Sequence, residues 1–247
     1  GWVGNEEPPE NYILCNDRDN IFFKEKYYSE LTFQYWYWKN ELNINDDSWI
    51  GFCQKRRYWV NKNSAKVKLD NNNFRDHILV NAPEEWNNYD AIICNPIFVN
   101  KVKKIKMLKR GIKSILKKPE IFFNDKKQTV GFHFDMHHGY GNLDKAISCM
   151  NDNDKEDFNR YVSLNIKFNP HIMFISKKKL LNDYFQEQFN WLSKCEEIFG
   201  LDNLKNYDQT RLYAFLAERF MPFWFKKYSK TIEWPWIFSD TNQINNN

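Results

Sequence analysis

The sequence predicts an α/β fold whose C-terminal portion is helical. In the first half of the chain, short apolar runs typical of buried strands alternate with amphipathic segments typical of helices. Two long segments with helical periodicity, 179–199 and 207–227, dominate the second half. The 247 residues can bury a sizeable core, and we expect one domain over 1–240 followed by a disordered tail at 241–247.

The first strong pattern is a predicted amphipathic helix over 27–40. Leu31, Tyr35 and Trp38 recur at helical spacing, and further aromatic residues widen the apolar surface. Glu30 falls in the first turn, where the helix dipole favours an anion. The segment therefore presents a broad apolar face to the core.

A short, nearly all-apolar run at 49–53 predicts a strand buried on both faces of the sheet. Lys55, Arg56 and Arg57 follow at once. In open α/β sheets, ligands collect at the carboxyl ends of strands, so these cations are candidate phosphate ligands. Glu30 is included among the candidate donor-binding residues, and the alternative is that Arg56 and Arg57 pair with a helix acid such as Glu30.

The remaining elements follow from the same patterns. Strands are predicted at 12–15, 90–94, 171–176 and 232–238, and helices at 74–80, 143–150, 154–164 and the two long segments. The segments 121–123 and 129–134 carry weaker patterns. Aromatic residues make up 18% of the chain, which favours a dense core and a cleft that stacks on planar or sugar rings.

Basic residues concentrate in the segment 101–118, which holds eight Lys, one Arg and no acidic residue. Its apolar residues fall at roughly helical spacing, so the segment is predicted to be basic and amphipathic. A solvated face is one interpretation. Peripheral contact with an anionic membrane leaflet, or with a polyanionic lipid-linked acceptor, is the other. Nucleic acid is not expected as a partner, because no nucleic-acid-binding module is recognisable.

The five cysteines are widely spaced, and they form no CxxC or Cys/His metal pattern. This favours a reduced, cytoplasmic compartment. The sequence also shows no signal-peptide pattern and no apolar run long enough to span a bilayer. Any membrane contact is therefore expected to be peripheral, at the inner face.

A cluster of ionisable residues lies in FHFDMHHG (132–139). His133, Asp135, His137 and His138 are all residue types that bind zinc or iron. On a strand, the first three would share one face while His138 would point away, which argues against a metal site. His138 and Asp135 remain candidates for binding an acceptor or for general-base catalysis, and a core or surface histidine is the alternative.

The segments NIFFKEKYYSELTFQYWYWKN (20–40) and WIGFCQKRRY (49–58) resemble a bacterial domain family long catalogued as of unknown function. Members occur in capsule and exopolysaccharide gene clusters and are regarded as glycosyltransferases, some of them galactofuranosyltransferases. Three later parts of the chain also resemble the family. One is the spacing of His138 to Leu143 and Asp144. The other two are the segments NPHIMFISKK (169–178) and QTRLYAFLAERF (209–220).

The resemblance implies a GT-A-like nucleotide-sugar fold. It also implies a nucleotide-activated donor, with UDP as the first choice of nucleotide, and a glycan or lipid-linked glycan acceptor in surface-polysaccharide synthesis. The family usually begins with a strand carrying a histidine-lysine signature that helps seat the nucleotide. No such pair precedes Tyr12. We therefore expect an excised or divergent member, and the alternative function is a non-catalytic carbohydrate-binding or assembly module of a larger capsule-synthesis protein.

The resemblance also implies donor-binding residues. GT-A enzymes commonly hold a metal with an Asp-x-Asp motif at the end of a central strand, but here Arg56 and Arg57 occupy that place. Arginine pairs can bind a diphosphate without a metal, so no cofactor is expected to be required. A literal Asp-x-Asp does occur at Asp17 and Asp19, next to Asn20. These three residues are the weaker candidates for binding the donor or a Mn²⁺ or Mg²⁺ ion. The other interpretation of the tripeptide is a polar turn.

Acceptor or sugar contacts are expected at Asn169, His171 and Met173, which open a predicted strand. Glu218 and Arg219 form a charged pair inside an apolar helix pattern. Such a pair is either a buried structural ion pair or a base with its orienting partner, with Arg219 reaching the sugar. The predicted order of preference for the catalytic base is His138, Asp135, Glu218.

Overall fold

The structure is a computed structural model, and it describes residues 1–3, 7, 8, 10–64 and 73–239. The strands, in chain order, are β1 (Trp49–Phe52), β2 (Arg57–Trp59), β3 (Ala91–Cys94), β4 (Ile97–Phe98), β5 (Lys167–Phe168), β6 (Phe174–Lys177), β7 (Thr231–Trp234) and β8 (Trp236–Phe238). The predicted tail at 241–247 lies outside the described residues.

Helices make up most of the remaining described chain. They are α1 (Glu25–Tyr28), α2 (Leu31–Asn40), α3 (Phe74–His77), α4 (Lys104–Arg110), α5 (Ile112–Lys117), α6 (Glu120–Phe123), α7 (Val130–His138), α8 (Asn142–Ser148), α9 (Asp152–Leu164), α10 (Lys178–Phe199), α11 (Tyr207–Thr210) and α12 (Leu212–Tyr228). Short 3₁₀ turns occur at Phe22–Lys24, Lys62–Ser64, Glu84–Asn88 and Asp125–Lys127. The predicted mixed α/β class, with long helices in the C-terminal portion, is confirmed.

The central sheet has the strand order β1-β6-β3-β7. β6 is antiparallel to both β1 and β3, whereas β7 is parallel to β3. The N-terminal end of β6 therefore lies beside the C-terminal ends of the other three strands. The β2–β8 pair continues directly from β1 and β7 at this end, which we call the site edge of the sheet.

The core lies on both faces of the sheet, because successive side chains of a strand point to opposite sides. All four residues of β3 are buried. Ala91 and Ile93 join the larger apolar cluster, which α2, α9, α10 and α12 cover. Ile92 and Cys94 join a second cluster, whose other buried members are Trp59, Trp86, Met173 and Trp234.

Strand β1 differs from its prediction. It lies at the edge of the sheet, its Gly51 is exposed, and Trp49 and Ile50 are only partly buried. A short apolar run cannot distinguish a doubly buried strand from an edge strand covered on one face by a helix. Here α2 supplies that cover, with the ring of Tyr37 packed edge-on against Phe52 at 5.4 Å.

The basic segment 101–118 forms two short helices, α4 and α5, that meet at Gly111. A Cβ atom at Gly111 would lie 2.9 Å from Cε2 of Phe132 and 3.0 Å from the carbonyl oxygen of Met107, so a larger residue would not fit without movement. In the described ranges, no helix combines the length and apolar character needed to cross a bilayer.

The histidine-rich segment is helical, and the strand geometry considered for it is wrong. Thr129 caps α7, because its Oγ1 accepts a hydrogen bond from the backbone N–H of Phe132 at 3.4 Å. On a helix, His133 and His137 lie one turn apart on one face, while Asp135 points to another side. This change alone rearranges the relation between the candidate catalytic residues.

Thr129→Ala should lower the free energy of unfolding by about 1 kcal/mol, because the N-terminal turn of α7 loses its side-chain acceptor. Thr129→Ser keeps the hydroxyl and serves as the matched control, so its stability should stay near that of the parent. Urea unfolding of the three proteins measures the difference. Equal stability of Thr129→Ala and the parent would show that the cap does not hold this helix.

Candidate active site

A chain of polar contacts begins at the site edge with Arg57. Its Nε donates to Nε2 of His171 at 3.1 Å. The imidazole of His171 also meets the Trp236 ring edge-on, with centroids 4.4 Å apart, and the Arg57 guanidinium lies 5.6 Å from the centroid of Phe238. The β2–β8 pair thus fixes Arg57 against the segment that enters β6.

His171 connects Arg57 to Glu218. Its backbone has a left-handed conformation, with φ of 70°, which directs its N–H to Oε1 of Glu218 at 2.7 Å. Because arginine can only donate, Nε2 of His171 must accept, and the ring proton then lies on Nδ1. Nδ1 is 3.8 Å from the same carboxylate oxygen. Burial, reinforced by Arg57 and Arg219, lowers the pKa of His171 to about 3, so the ring is neutral at physiological pH.

Arg219 is the buried end of the ion pair on α12. Its Nη1 donates to Oε2 of Glu218, and its Nη2 lies 3.3 Å from Nδ1 of His133. The guanidinium also stacks over the rings of Phe168 and Phe134, 4.4 and 5.5 Å from their centroids. Arg219 is thus enclosed by protein and does not offer its charge to a ligand, whereas 16% of the Glu218 side chain remains accessible.

Asn169 has a structural position at the same edge. It is fully buried, and its Nδ2 donates to the carbonyl oxygen of Cys94 at 2.7 Å and to Oε1 of Glu233 at 2.9 Å. Glu233 also accepts from Lys226 at 2.7 Å. Asn169 therefore ties the ends of β3 and β7 together. Met173 is also fully buried in the second apolar cluster, so the expectation that its side chain contacts a sugar does not fit its position.

His138, the first choice of base from the sequence, lies in the interior. Its Nδ1 is 3.0 Å from the carbonyl oxygen of Asp208, and its ring stacks on Phe215 with centroids 3.9 Å apart. Burial, with Arg219 as the next cause, lowers its pKa to about 2. A neutral ring packed in this way supports the fold and has little freedom to take a proton from a substrate.

Asp135 lies on a different side of α7 from His133 and His137, and it contacts α5 and the turn after α7. Its Oδ2 accepts from the hydroxyl of Ser114 at 3.0 Å, and its Oδ1 accepts from the backbone N–H of Gly141 at 3.0 Å. Burial raises the pKa of this carboxyl despite the two hydrogen bonds. Asp135 therefore joins α5 to the turn after α7.

Asp135 also lines a cleft of about 370 Å³, which we call the basic cleft. Three cations of the 101–118 segment line one side of it, together with His137 and the exposed ring of Tyr140. The cations are Lys109, Arg110 and Lys113. Polar side chains from α11 and from the residue before it also line the cleft: Asn206, Asp208 and Gln209. An aromatic ring among amides, carboxylates and cations can bind a polar, partly anionic ligand such as a glycan.

The basic cleft and the site edge are connected through α7. The rings of His137 and His133 are in contact, with centroids 4.5 Å apart, and His133 meets Arg219. Arg57, His171, Glu218, Arg219 and the two histidines thus form one continuous chain. The contact between His133 and His137 was not predicted from the sequence. A helix capped by Thr129 would have indicated this contact, because residues four apart lie on the same helix face.

The Asp-x-Asp tripeptide closes a loop onto α2. Oδ1 of Asp17 accepts from the indole N–H of Trp36 at 2.6 Å, and Oδ1 of Asp19 accepts from the Tyr35 hydroxyl at 3.3 Å. Nδ2 of Asn20 donates to the carbonyl oxygen of Asp17 at 3.2 Å. These contacts agree with the polar-turn interpretation of the sequence.

The remaining residues predicted to bind the sugar donor are Glu30 and Arg56. Glu30 is the partly buried residue that precedes α2. Arg56 is exposed, has a left-handed backbone with φ of 67°, and lies 5.5 Å from the centroid of Phe238. Arg56 and Arg57 thus both lie near one aromatic ring at the site edge. In the described part of the chain, no three His, Cys, Asp or Glu side chains come together as a metal site.

The profile of a family described as a domain of unknown function (DUF4422) matches residues 1–230. The solved apo structure of WbbM, a bifunctional glycosyltransferase, is similar with a TM-score of 0.53 at 20% identity, over 92% of this chain and 39% of that one. The chain thus spans well under half of that protein. The similarity confirms the GT-A-like fold. The comparison with curated proteins gave no match.

The depressed pKa of His138 predicts a defined pH dependence. Folded His138 stays neutral down to about pH 2, whereas in the unfolded chain it binds a proton below about pH 6.5. Its contribution to stability is therefore complete above pH 6.5 and is lost as the pH falls toward 2. The stability advantage of the parent over His138→Asn should shrink by about 2 kcal/mol between about pH 7 and about pH 5.

Urea unfolding of both proteins at the two pH values measures this change. The other buried histidines are common to both proteins, so their contributions cancel in the difference. A difference in stability that does not change with pH would mean that His138 is not held neutral by the fold.

Proposed function

The chain belongs to the DUF4422 family, and on this premise we propose that it is a glycosyltransferase that moves a sugar from a nucleotide-activated donor to a growing glycan. The observation that carries the proposal is the chain from Arg57 through His171 to Glu218 at the site edge of a GT-A-like sheet. Open α/β sheets bind ligands at such edges. The sequence resemblance adds the finer parts of the proposal: UDP as the nucleotide, a hexosyl or galactofuranosyl group, and a capsular or surface polysaccharide made in the bacterial cytoplasm.

In this proposal, Arg56 and Arg57 bind the diphosphate of the donor. Glycosyl transfer releases a nucleoside diphosphate, whose growing negative charge must be neutralised. Arginine offers paired hydrogen bonds to phosphate oxygens without a metal. Charge neutralisation is then built into the protein, and Mn²⁺ or Mg²⁺ has at most an accessory role.

The basic cleft is the proposed acceptor site. Its Tyr140 ring can stack on a sugar, while Lys109 and Lys113 can bind an acidic or phosphate-bearing part of a glycan or lipid-linked glycan. Asp135 lies in the lining and can orient a hydroxyl group. The cleft is connected to the site edge through His137 and His133. The proposal therefore requires the acceptor to extend from the cleft to Glu218, which does not itself line the cleft.

Glu218 replaces His138 as the proposed general base. The backbone N–H of His171 and the guanidinium of Arg219 fix both carboxylate oxygens in place, and each oxygen keeps a second lone pair for a substrate hydroxyl. A positioned base is what general-base catalysis requires. Asp135 is second because its carboxyl lies in the proposed acceptor site, and the buried ring of His138 is third.

The parent protein should bind UDP with micromolar affinity, and UDP-sugars should protect it from thermal unfolding more than GDP- or CDP-sugars do. Replacing both Arg56 and Arg57 with Ala should weaken UDP binding by roughly 2 to 4 kcal/mol, because charged hydrogen bonds contribute about 1.5 to 3 kcal/mol each. Calorimetric titration with UDP measures both quantities.

Lys230→Ala is the control, since it removes an exposed charge that precedes β7 at the end of the sheet opposite the site edge, and it should leave UDP affinity unchanged. Unchanged affinity in a folded Arg56/Arg57 double variant would refute the donor site. A parent protein that binds no UDP even at millimolar concentration would instead favour the alternative function, a non-catalytic carbohydrate-binding or assembly module.

Glu218→Gln should lower turnover by about 10² to 10⁴-fold at saturating donor and acceptor, because it removes the base. Its melting temperature is measured alongside, because the substitution also removes the carboxylate that compensates the buried Arg219 charge. Asp135→Asn should mainly raise the KM for the acceptor, and His138→Ala should mainly lower the melting temperature. The assay is run with and without EDTA, and chelation should leave more than about half of the activity.

Two results would contradict this assignment. Turnover of Glu218→Gln within a few-fold of the parent, together with loss of turnover in a folded Asp135→Asn or His138→Ala, would move the base to that residue. Activity abolished by EDTA and restored by Mn²⁺ would show that the arginines do not suffice and would direct attention to Asp17 and Asp19.

A further inference from the structure

Helices α4, α5 and α6 carry apolar side chains that the core does not use. Ile105 and Leu116 are 70% and 74% exposed, and Phe123 is 80% exposed. Leu108 and Ile112 are also exposed. Ile105 and Leu108 are three residues apart on α4, and Ile112 and Leu116 are four residues apart on α5, so each pair shares one face of its helix. We call these five residues the apolar stripe. Single exposed apolar residues are common on proteins, but a set with helical spacing marks an interaction surface.

The residues of the apolar stripe are not the ones by which these helices pack on the core. The same helices bury a different set of side chains, Met107, Ile115 and Ile121, in a small cluster with Phe132 and Met136 of α7. The helices are therefore seated on the protein by one face and present the stripe on another. No rearrangement is needed to expose it.

Cations surround the stripe. All eight lysines and the single arginine of the 101–118 segment lie on α4, on α5 or beside them, and each is exposed. Arg110 pairs with Asp208 at 3.3 Å. Among the described residues, none of the eight lysines has a carboxylate within ion-pair distance. Their charge is thus available to an external anionic partner.

The combination selects one class of partner. An anionic bilayer offers both an acyl boundary for apolar side chains and a dense negative headgroup layer for lysines. A second copy of this chain would bring two sets of like charges together, which opposes self-association. The helices have seven, six and four residues, so they can lie on a bilayer surface but cannot enter it deeply.

We propose that α4, α5 and α6 form a docking surface for an anionic lipid bilayer, with the apolar stripe inserted at the headgroup boundary and the lysines on the headgroups. Lys109 and Lys113 belong both to this surface and to the lining of the basic cleft, so docking would bring the mouth of the cleft to the membrane. That consequence rests on the proposed function, because it would give the cleft access to a lipid-linked acceptor. The docking itself does not depend on any activity.

Co-sedimentation of the whole chain with vesicles tests the proposal. The parent should bind vesicles made of equal parts phosphatidylcholine and phosphatidylglycerol, should not bind pure phosphatidylcholine, and should dissociate as salt increases. Ile105→Asp combined with Leu116→Asp should weaken binding at least about tenfold, because charges on the stripe oppose insertion. Lys103→Gln, Lys106→Gln and Lys117→Gln together should also weaken it, and none of these three lysines lines the basic cleft.

Val80→Asp is the matched control, since Val80 is 82% exposed and lies outside the stripe, and its binding should equal that of the parent. All substituted residues are exposed, so circular dichroism should show unchanged folding. Failure of the parent to bind anionic vesicles at low salt would overturn the proposal. Binding that survives both sets of substitutions, or a parent dimer that the stripe variant dissociates, would overturn it as well. UDP affinity should be the same in all variants, which separates this result from any failure of the proposed function.

Discussion

The packing around the site edge depends on the burial of the Arg219 guanidinium, which costs free energy because a charge is removed from water. A charge removed from water is tolerated only where partners compensate it, and here Glu218, His133 and two aromatic rings do so. Those partners come from two helices, α7 and α12, and from β5. The cation therefore links α12, α7 and the β4–β5 pair, and it requires the aromatic residues around it to keep their positions.

This buried cation also controls the charge of its surroundings. It contributes, after burial, to the lowered pKa values of His133, His138 and His171, so the three rings are neutral at physiological pH. The site edge is consequently a network of oriented neutral donors and acceptors around one carboxylate and one accessible arginine pair. Such a network is preorganised, because nothing in it has to change charge before a ligand binds.

Local patterns were enough to predict part of this arrangement. The buried strand β3, the long helix α10 and the charged pair on α12 follow from periodicity and apolar content. The contact between His171 and Glu218 could not be predicted, because it joins residues 47 positions apart and depends on a left-handed backbone that the sequence does not signal. The histidine segment was assigned the wrong geometry because its alternating aromatic and polar residues suit a strand as well as a helix. The Asp-x-Asp tripeptide matches a metal-binding motif in sequence, but its two carboxylates accept hydrogen bonds from Trp36 and Tyr35 and thereby fix the loop against α2.

The parallel pairing of β3 with β7 has a consequence for how the chain folds. Ala91 lies opposite Thr231, so the two strands are separated by 140 residues of sequence. Until residues 231–234 have been synthesised, one edge of the most buried strand has no partner, and Trp234 is missing from the second apolar cluster. Contacts between such distant parts of a chain form slowly, and open apolar strand edges associate with other chains. Pairing of β7 with β3 therefore completes the central sheet only after residues 231–234 have been made, and until then the edge of β3 stays open to association with other chains.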